Sequence, residues 1–399
     1  MKPKIRFKGF EGEWKAPSIR EVFELRNGYT PSKAVNAFWE GGTIPWFRME
    51  DIRTNGGILK DAIQHITPLA VKGAGLFEKN SIILATTATI GVHAMLIADS
   101  LANQQFTNFK VRKSLSDKYI NEFLYYSFFN IDEWSKKNTN TGGLLSVNMP
   151  LLVKQPLYSP CKQEQQAIAS YFTSLDSQIS ASTSRLASLK QMKAASLQAM
   201  FPQEGETVPK IRFKGFEGEW KKVKFKDFGH VAMCKRIFKN QTTSEGDVPF
   251  YKIGTFGSEP DSYISQSLFE EYKKKYSFPN KGDILISAAG TIGRTVEYNG
   301  ENCYYQDSNI VWLDHNNNIT NGFLKQLYSI VKWSSLEGAT IKRLYNSNIL
   351  ETTFYIPNIN EQQAIASYFT SLDRQISLQS QRLEKLKQIK SACLDKMFV

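Results

Sequence analysis

The sequence has few of the residues that most often build metal and redox centres. Its four cysteines (Cys161, Cys234, Cys303 and Cys393) are scattered, and four histidines occur in 399 residues. No Cys-x-x-Cys pair or histidine cluster accompanies them, so the pattern indicates neither a zinc site nor a disulfide framework. The cysteines are expected to be reduced, structural thiols, and no metal or cofactor site is predicted in this chain.

Several common sequence signals are also missing. The chain contains no Gly-x-x-x-x-Gly-Lys-Ser/Thr phosphate loop, no His-Glu-x-x-His motif and no nucleophile elbow. It has no run of about twenty apolar residues, and its start, Met-Lys-Pro-Lys-Ile-Arg-Phe-Lys, lacks the apolar segment of a signal peptide. These absences favour a cytoplasmic protein and remove the common routes to catalysis without excluding it.

Basic residues exceed acidic ones. Fifty Lys and Arg against 38 Asp and Glu give a net charge of +12, while 41% hydrophobic and 13% aromatic residues are typical of a globular protein. A basic protein gains affinity for polyanions because each neutralised phosphate releases counterions. A polyanionic partner is therefore expected, with nucleic acid favoured over an anionic membrane surface.

The chain is internally duplicated. Thirteen residues, Pro-Lys-Ile-Arg-Phe-Lys-Gly-Phe-Glu-Gly-Glu-Trp-Lys, occupy positions 3–15 and again 209–221. Thirteen others, Glu-Gln-Gln-Ala-Ile-Ala-Ser-Tyr-Phe-Thr-Ser-Leu-Asp, occupy 164–176 and again 361–373. Only scattered residues align between these blocks, although neutral drift should erode all segments alike. The sequence therefore predicts a shared frame that carries two different specificities.

Each copy ends in a predicted long helix with one apolar stripe. The stripe consists of Ile168, Phe172, Leu175, Ile179, Leu186 and Leu189 in the first copy, and of Ile365, Phe369, Leu372, Ile376, Leu383 and Leu386 in the second. This spacing is that of a coiled-coil seam. We expect the helices to pack on each other, antiparallel, around a pseudo-twofold axis; the alternative is that each packs only on its own domain. Asn360 and Gln363 resemble a capping box at the start of the second helix.

The segments between the repeats, about 16–157 and 222–354, mix strand-like runs with helical ones. Residues 81–85 and 283–287 are predicted to be buried strands, and 118–134 and 321–333 helices. Each interior is therefore predicted to be an α+β domain.

Polar and basic residues of these interiors are candidates for contact with DNA. Arginine can pair with guanine, and asparagine or glutamine with adenine, through two hydrogen bonds, while hydroxyls bind phosphate or base. For each residue, a turn or surface role is the competing interpretation. The candidates are Arg48, Arg53, Thr86, Thr87, Asn103, Gln104, Gln105, Lys235, Arg236, Ser287, Arg294, Gln306 and Asn309.

One enzymatic pattern is also present. Pro260-Asp261 followed by Glu271-Tyr272-Lys273 resembles the Pro-Asp…Glu-x-Lys signature of metal-dependent nucleases, in which two carboxylates hold Mg²⁺ and a lysine assists the attacking water. That signature lies on strands, whereas residues 267–276 are rich in helix formers. A solvated helix face is the favoured interpretation, and the nuclease is kept as an alternative.

Taken together, the duplicated motifs resemble the specificity subunit of type I restriction–modification enzymes. The resemblance is carried by Pro-x-x-x-Glu-Gln-Gln-x-Ile-Ala at 160–169 and 357–366, by Gly-x-Ile/Val-Pro at 42–45 and 246–249, and by Thr-Ile-Gly at 89–91 and 291–293. It covers essentially the whole chain. It implies a first target-recognition domain at 1–159, a central spacer helix at 160–207, a second domain at 208–356 and a C-terminal spacer helix at 357–399.

The resemblance also implies a function. Each domain would read one half of an asymmetric bipartite site on double-stranded DNA, and the chain itself would be non-catalytic. The partners it implies are two adenine-N6 methyltransferase subunits, which would carry S-adenosylmethionine, and motor-nuclease subunits, which would use ATP and Mg²⁺. A duplicated coiled-coil scaffold that binds only proteins is the remaining alternative.

Overall fold

The structure is a computed structural model that describes residues 1–140, 142–143, 145–334 and 343–399. The chain divides into two compact units, one formed by Met1–Thr183 with Gln381–Val399 and the other by Ser184–Ser380. Each unit contains one α+β domain and a stretch of both long helices, Lys162–Ala199 and Ile359–Met397. The predicted α+β class is confirmed.

The first domain is built on a five-stranded sheet and a three-stranded sheet. The larger sheet has the order Phe23–Asn27, Phe106–Val111, Ile82–Ala85, His93–Leu96 and Ile58–Leu59, antiparallel except for its last pair. The smaller sheet has the order Gln64–Ile66, Ile44–Phe47 and Leu101–Ala102, the last pair being parallel. A two-stranded ribbon joins Thr139–Asn140 to Ser146–Val147. Helices of this domain are Ile19–Val22, Met49–Asn55, Asn121–Lys137 and Met149–Leu152, with 3-10 turns at Asn36–Phe38, Pro68–Ala70 and Lys113–Lys118.

The second domain repeats the order of the first four strands of the larger sheet and the order of the smaller sheet, with different residues. Its larger sheet has the order Gly229–Ala232, Ile310–His315, Ile284–Ser287 and Thr295–Glu297, all antiparallel. Its smaller sheet has the order Tyr263–Ile264, Val248–Tyr251 and Tyr304–Tyr305, again with a parallel last pair. A ribbon joins Lys221–Lys224 to Thr353–Ile356. Its helices are Gln266–Lys275, Asn321–Tyr328 and Asn346–Glu351, with 3-10 turns at Phe225–Asp227 and Lys239–Gln241.

Each larger sheet is built around a fully buried central strand. Ile82–Ala85 and Ile284–Ser287 are buried along their whole length, as expected of strands covered on both faces. They lie one residue inside the predicted strands. The helix predicted at 118–134 is found at Asn121–Lys137, and the one predicted at 321–333 is shorter, Asn321–Tyr328.

The long helices pack antiparallel in both units, as predicted. In the first unit Tyr171 contacts Cys393 (Oη to Sγ, 3.4 Å), and Asp176, further along the first helix, pairs with Lys390, which lies earlier on the second. In the second unit Tyr368 contacts Ser196 at 2.9 Å, and Asp373 pairs with Lys193 at 2.6 Å. These are four corresponding positions of the two copies, each pair 197 residues apart, with the two helices exchanged. These contacts join the two helices, and Leu175 and Leu189 of the first apolar stripe and Leu372 and Leu383 of the second are buried.

The first turns of each helix also pack on their own domain. The alternative in which each helix packs only on its own domain is wrong, because the two helices also contact each other. Ile168 and Phe172 belong to the core of the first domain, and Ile365 and Phe369 to that of the second. In each copy, a buried glutamine fastens this junction. The Gln165 amide donates to the carbonyls of Lys118 and Pro160, and Gln362 donates to those of Asn318 and Pro357.

The far end of each helix completes the core of the other copy's domain. Phe398, which follows the second helix, packs against Trp14, Phe123 and Phe172, with ring centroids 5.6–6.4 Å apart. Phe201, which follows the first helix, packs in the same way against Trp220, Phe323 and Phe369, at 5.4–6.4 Å. Each domain therefore encloses an aromatic residue that follows the long helix of the other copy.

The predicted capping box at Asn360 is wrong. The second long helix begins at Ile359, and the side chain of Asn358 accepts the backbone N–H of Glu361 at 3.0 Å. Asn360 therefore lies inside the helix, and Asn358, directly after Pro357, satisfies one of the free N–H groups of the first turn.

Candidate nucleic-acid interface

In the first domain, two parallel strands bring Arg48 and Asn103 to one edge of the small sheet. Ile44–Phe47 and Leu101–Ala102 run in the same direction, so the residues that follow them emerge side by side. The backbone N–H of Asn103 donates to the carbonyl of Phe47 at 3.0 Å. The Arg48 guanidinium lies 5.9 Å from the Trp46 ring centroid and 3.2 Å from the Glu50 carboxylate. The edge thus presents an arginine beside an amide-rich turn.

Within that turn, Asn103 and Gln105 bond to each other and Gln104 is exposed. The Asn103 side chain accepts the N–H of Gln105 at 3.1 Å and donates to its Oε1 at 3.2 Å. The Thr30 hydroxyl donates to Gln104 Oε1 at 2.5 Å. The two amides hold the shape of the turn, and Gln104 carries the side chain most accessible to a ligand.

The other predicted contacts of the first domain, Thr86, Thr87 and Arg53, differ in burial. Thr86 is buried against Thr107, 3.1 Å between their hydroxyl oxygens, and its N–H donates to the carbonyl of Gln105. Thr87 is half-buried, and Arg53 is exposed on the helix Met49–Asn55. Thr86 therefore links two loops of this edge by its backbone, while Thr87 and Arg53 keep accessible polar atoms.

The second domain forms a cleft at the corresponding edge. The Gln306 N–H donates to the carbonyl of Tyr251 at 2.9 Å, and its Oε1 accepts the N–H of Ile253 at 2.8 Å. A cavity of about 430 Å³ opens beside it. Its lining includes Arg236, Phe238, Lys239, Lys252, Asp307 and Asn309.

The cleft gathers three of the predicted residues of this domain and not the others. Arg236, Gln306 and Asn309 line it, whereas Lys235, Ser287 and Arg294 are not among the lining residues. Ser287 is buried; its hydroxyl donates to the Thr291 carbonyl and accepts the N–H of Arg294, which fixes the Thr-Ile-Gly turn. Arg294 is exposed and donates to the Ile253 carbonyl at 3.2 Å.

Several accessible cationic and aromatic residues here were not among the predicted DNA contacts. Lys252 follows the strand Val248–Tyr251 as Arg48 follows Ile44–Phe47, a correspondence that the shared Gly-x-Ile/Val-Pro motif could have given. Arg343 donates to the Ser308 carbonyl at 3.4 Å and lies 5.9 Å from the ring of Tyr345. Phe238 and Tyr345 are 57% and 62% exposed. Cations interleaved with exposed rings are suited to a polyanion that carries stacked bases.

The nuclease pattern does not form a site. Glu271 and Lys273 lie on the helix Gln266–Lys275, as their composition predicted, and the Lys273 ammonium lies 5.1 Å from the Phe278 ring. Asp261 instead pairs with Lys252 at 2.8 Å, and this hydrogen bond lowers the pKa of Asp261. Throughout the described ranges, no cluster of three or more His, Cys, Asp or Glu could hold a metal ion. Nor does any helix there have the length and hydropathy needed to cross a membrane.

Comparison with known sequences gives the chain its relatives. A Haemophilus influenzae protein, provisionally named a type I restriction enzyme specificity subunit, is 59% identical over 148 residues, 37% of this chain and 38% of that protein. The EcoprrI specificity subunit of Escherichia coli is 47% identical over 153 residues, 38% of each chain. The matched region thus spans less than two fifths of either relative.

Comparison with solved structures gives the same fold over the whole chain. The S subunit of a type I restriction–modification system from M. genitalium superposes with a TM-score of 0.65 at 16% identity, covering 100% of this chain and 99% of that one. A structure from work on complex assembly and conformational transition of the type I system gives 0.57 at 16% identity, covering 98% and 99%. Both similarities concern the fold.

The family model described as the type I restriction modification DNA specificity domain matches this chain twice, over residues 11–191 and 217–388. Each match contains one α+β domain and most of the long helix that follows it. The chain therefore belongs to the family of type I restriction–modification DNA specificity proteins.

Proposed function

We propose that this protein is the DNA sequence-specificity subunit of a type I restriction–modification complex, and that each α+β domain reads one half of an asymmetric bipartite target. The observation that supports this most directly is the contrast between frame and edge. The contacts that join helix to domain recur residue for residue. By contrast, Arg48 and Asn103 at the edge of the first domain correspond to Lys252 and Gln306 at the edge of the second. Because the two domains share the same helix contacts but differ at the edge of the small sheet, they would select different half-sites.

The chemistry of the two edges fits duplex DNA. Basic side chains contribute sequence-independent affinity through phosphates, and arginine or amide side chains select bases in the major groove. Of the residues predicted from sequence, we propose Arg48, Gln104, Arg236 and Asn309 as base contacts, and Arg53, Thr87, Lys235 and Arg294 as backbone contacts. Asn103, Gln105, Thr86, Ser287 and Gln306 would act by holding the loops, because their polar atoms already bond within the protein.

The long helices would set the gap between the half-sites and dock two adenine-N6 methyltransferase subunits. At 1.5 Å per residue, the 38-residue helix Lys162–Ala199 is about 57 Å long, enough to separate two reading surfaces by several base pairs. A rigid spacer converts helix length into half-site spacing, as in other two-domain DNA readers. Motor-nuclease subunits would join the methyltransferase complex.

Under this proposal the chain has no chemistry of its own. S-adenosylmethionine would belong to the methyltransferase subunits, and ATP with Mg²⁺ to the motor-nuclease subunits. A complex that modifies and cleaves DNA inside the cell would work in the cytoplasm. The duplicated protein-binding scaffold, the competing function, would need no cationic edges and would leave DNA methylation unchanged.

Single-molecule sequencing for N6-methyladenine tests the proposal. The gene would be expressed with its methyltransferase partner in a host that lacks both, beside a host that expresses the methyltransferase alone. The expected result is methylation at one asymmetric, bipartite motif only when this chain is present. Methylation that does not depend on the chain, or a palindromic motif, would contradict the proposed function.

A further inference from the structure

We propose that the second domain reads a G·C base pair with Arg236, and that Asp307 is the residue that positions Arg236 for this contact. The inference rests on the proposed DNA-reading function and deepens it, since it names the base pair and the pair of residues that selects it. Both residues line the cleft of the second domain.

The ion pair leaves the reading edge of the arginine open. Arg236 Nε donates to Asp307 Oδ2 at 2.8 Å, and the side chain of Arg236 is 59% exposed while that of Asp307 is 17% exposed. In the part of the chain that the structure describes, no hydrogen bond engages Nη1 or Nη2 of Arg236. Those two groups form the edge that can donate two parallel hydrogen bonds to O6 and N7 of guanine.

Asp307 is held on a rigid turn. Gln306, the preceding residue, is fixed at both its N–H and its side chain, to Tyr251 and Ile253. Ser308, the following residue, has a φ of 53°, and the N–H of Asn309 donates back to the Asp307 carbonyl. A carboxylate fixed in this way restricts the arginine before DNA arrives, so less side-chain entropy is lost on binding.

The charge of the pair favours a base over a phosphate. An arginine that binds phosphate gains from its full positive charge, and a carboxylate 2.8 Å from it opposes the approach of a second anion. A base edge carries no net charge, so the pair loses nothing there. Lys235 and Lys239, which form no ion pair among the described residues, are better suited to phosphates.

The same carboxylate can discriminate on the other strand. Asp307 Oδ1 can accept a hydrogen bond from N4 of cytosine, the partner of guanine, whereas O4 of thymine in an A·T pair would face it acceptor to acceptor. Arg236 and Asp307 together therefore match the donor and acceptor pattern of one G·C pair.

Three variants of the full chain, each co-expressed with the methyltransferase partner, test the inference. Arg236→Lys keeps the charge but removes the two-point fork, Asp307→Asn keeps the shape but removes the carboxylate, and Glu297→Gln is the control. Glu297 forms an exposed ion pair with Lys325 outside the cleft, so its substitution removes an equal charge from the same domain. The probe is a randomised DNA duplex library, followed by binding of the selected motif at a series of salt concentrations.

With Arg236→Lys we expect discrimination at one G·C position of one half-site to fall about 5- to 150-fold, the range of a good two-point contact. Asp307→Asn should relax the same position, and Glu297→Gln should leave the motif unchanged. A fourth variant, Arg236→Ala, tests the phosphate alternative by removing the charge as well: uniform weakening, with the slope of log K against log salt reduced by about one, would identify a phosphate contact and overturn the inference. Unchanged selectivity in both cleft variants would also overturn it. If the complex with the natural chain selected no motif, this result would contradict the proposed function itself, on which the inference rests.

Discussion

Arg6 and Glu164, 158 positions apart, form a two-point ion pair: Nε and Nη2 of the arginine each lie 2.6 Å from a carboxylate oxygen. Glu164 has no exposed side-chain surface, and Arg6 also donates to the carbonyls of Glu11 and Gly12. Arg212 and Glu361 repeat the arrangement at 2.6 and 2.7 Å. The repeated Lys-Ile-Arg-Phe-Lys segment thus anchors the start of the repeated helix.

Substitution Glu164→Gln should destabilise the unit that contains the first domain. Removing one partner of a fully buried ion pair costs about 3–5 kcal/mol, because the other charge stays without compensation. The cost should be smaller here, because the Arg6 side chain is 16% exposed and keeps its bonds to two carbonyls. Hydrogen exchange followed by mass spectrometry should show faster exchange in Met1–Thr183 than in Ser184–Ser380. Gln166→Ala, at an exposed position two residues further along the helix, is the control. Equal exchange in the two variants would contradict the anchoring role.

Substitution Phe398→Ala should open a cavity among Trp14, Phe123 and Phe172. Truncating a buried phenylalanine costs about 3–5 kcal/mol of stability, and Phe398 is 7% exposed. Thermal unfolding should show a lower melting temperature, and Phe201→Ala should act similarly through the second domain. Leu378→Ala serves as the control because Leu378 is 56% exposed on the helix that precedes Phe398. A melting temperature as high as that of the control would refute the packing role.

Asp132 should make stability depend on pH. Its Oδ2 lies 2.6 Å from Nδ1 of buried His93, whose Nε2 lies 2.9 Å from the Tyr125 carbonyl, an acceptor only. Nε2 must therefore donate its hydrogen to that carbonyl, and a second proton must lie between Nδ1 of His93 and Oδ2 of Asp132. Burial raises the pKa of Asp132, while the hydrogen bond from His93 opposes the rise. The folded chain keeps a proton that the unfolded chain releases near its ordinary pKa of about 4.

Protonated Asp132 stabilises the fold fully at pH values below about 4, the ordinary pKa of this carboxyl. The stabilisation is lost as the pH rises through the raised pKa that Asp132 has in the folded chain. Denaturation midpoints of the natural protein and of Asp132→Asn, measured across this range, should therefore converge or cross in favour of the variant as pH rises. Glu133→Gln should give the opposite trend, since Lys136 lowers the pKa of Glu133. A difference between the natural protein and Asp132→Asn that is constant with pH would disprove the assignment.

Lengthening both helices by one heptad should lengthen the gap between the half-sites. Seven residues add about 10.5 Å of helix, which corresponds to about three base pairs if the helices lie along the duplex and to fewer if they are tilted. Binding would be measured against DNA that carries both half-sites at a series of gap lengths. Both half-sites should stay unchanged, and an unchanged preferred gap would rule out the spacer role.

Exchange of residues 222–354 for the interior of another family member should alter one half-site only. The exchange leaves the anchoring pairs at Arg212–Glu361 and at Arg6–Glu164 in place. Methylome sequencing of cells that carry the exchanged chain reports both half-sites at once. A change in both halves would show that the domains do not read DNA independently.

Much of the architecture could be predicted from local pattern. The apolar stripe from Ile168 to Leu189 predicted the long helix because helical periodicity is a property of neighbouring residues. The apolar runs at 81–85 and 283–287 predicted the central strands in the same way, to within one residue. The Gln165 and Gln362 contacts could not be predicted, since their acceptors are backbone carbonyls whose positions depend on the fold.

The candidate edges were predicted in part. Arg236, Gln306 and Asn309 were chosen by residue type, and the structure brings them to one cleft. Residue type could not show that Ser287 and Thr86 are buried or that Gln306 is already bonded to Ile253. Arg343 and Tyr345 were missed because they approach Ser308 from a segment far along the chain.

By itself, the sequence determined that the chain is two copies of one frame, that each copy ends in a long amphipathic helix, and that basic charge is in excess, because repeats, periodicity and composition need no coordinates. Only the tertiary structure decided which residues face one another: Phe398 in the core of the first domain, Glu361 on Arg212, and Asp307 on Arg236. These contacts join positions far apart in the chain, and side-chain burial and ion-pair geometry arise only when folding brings such positions together.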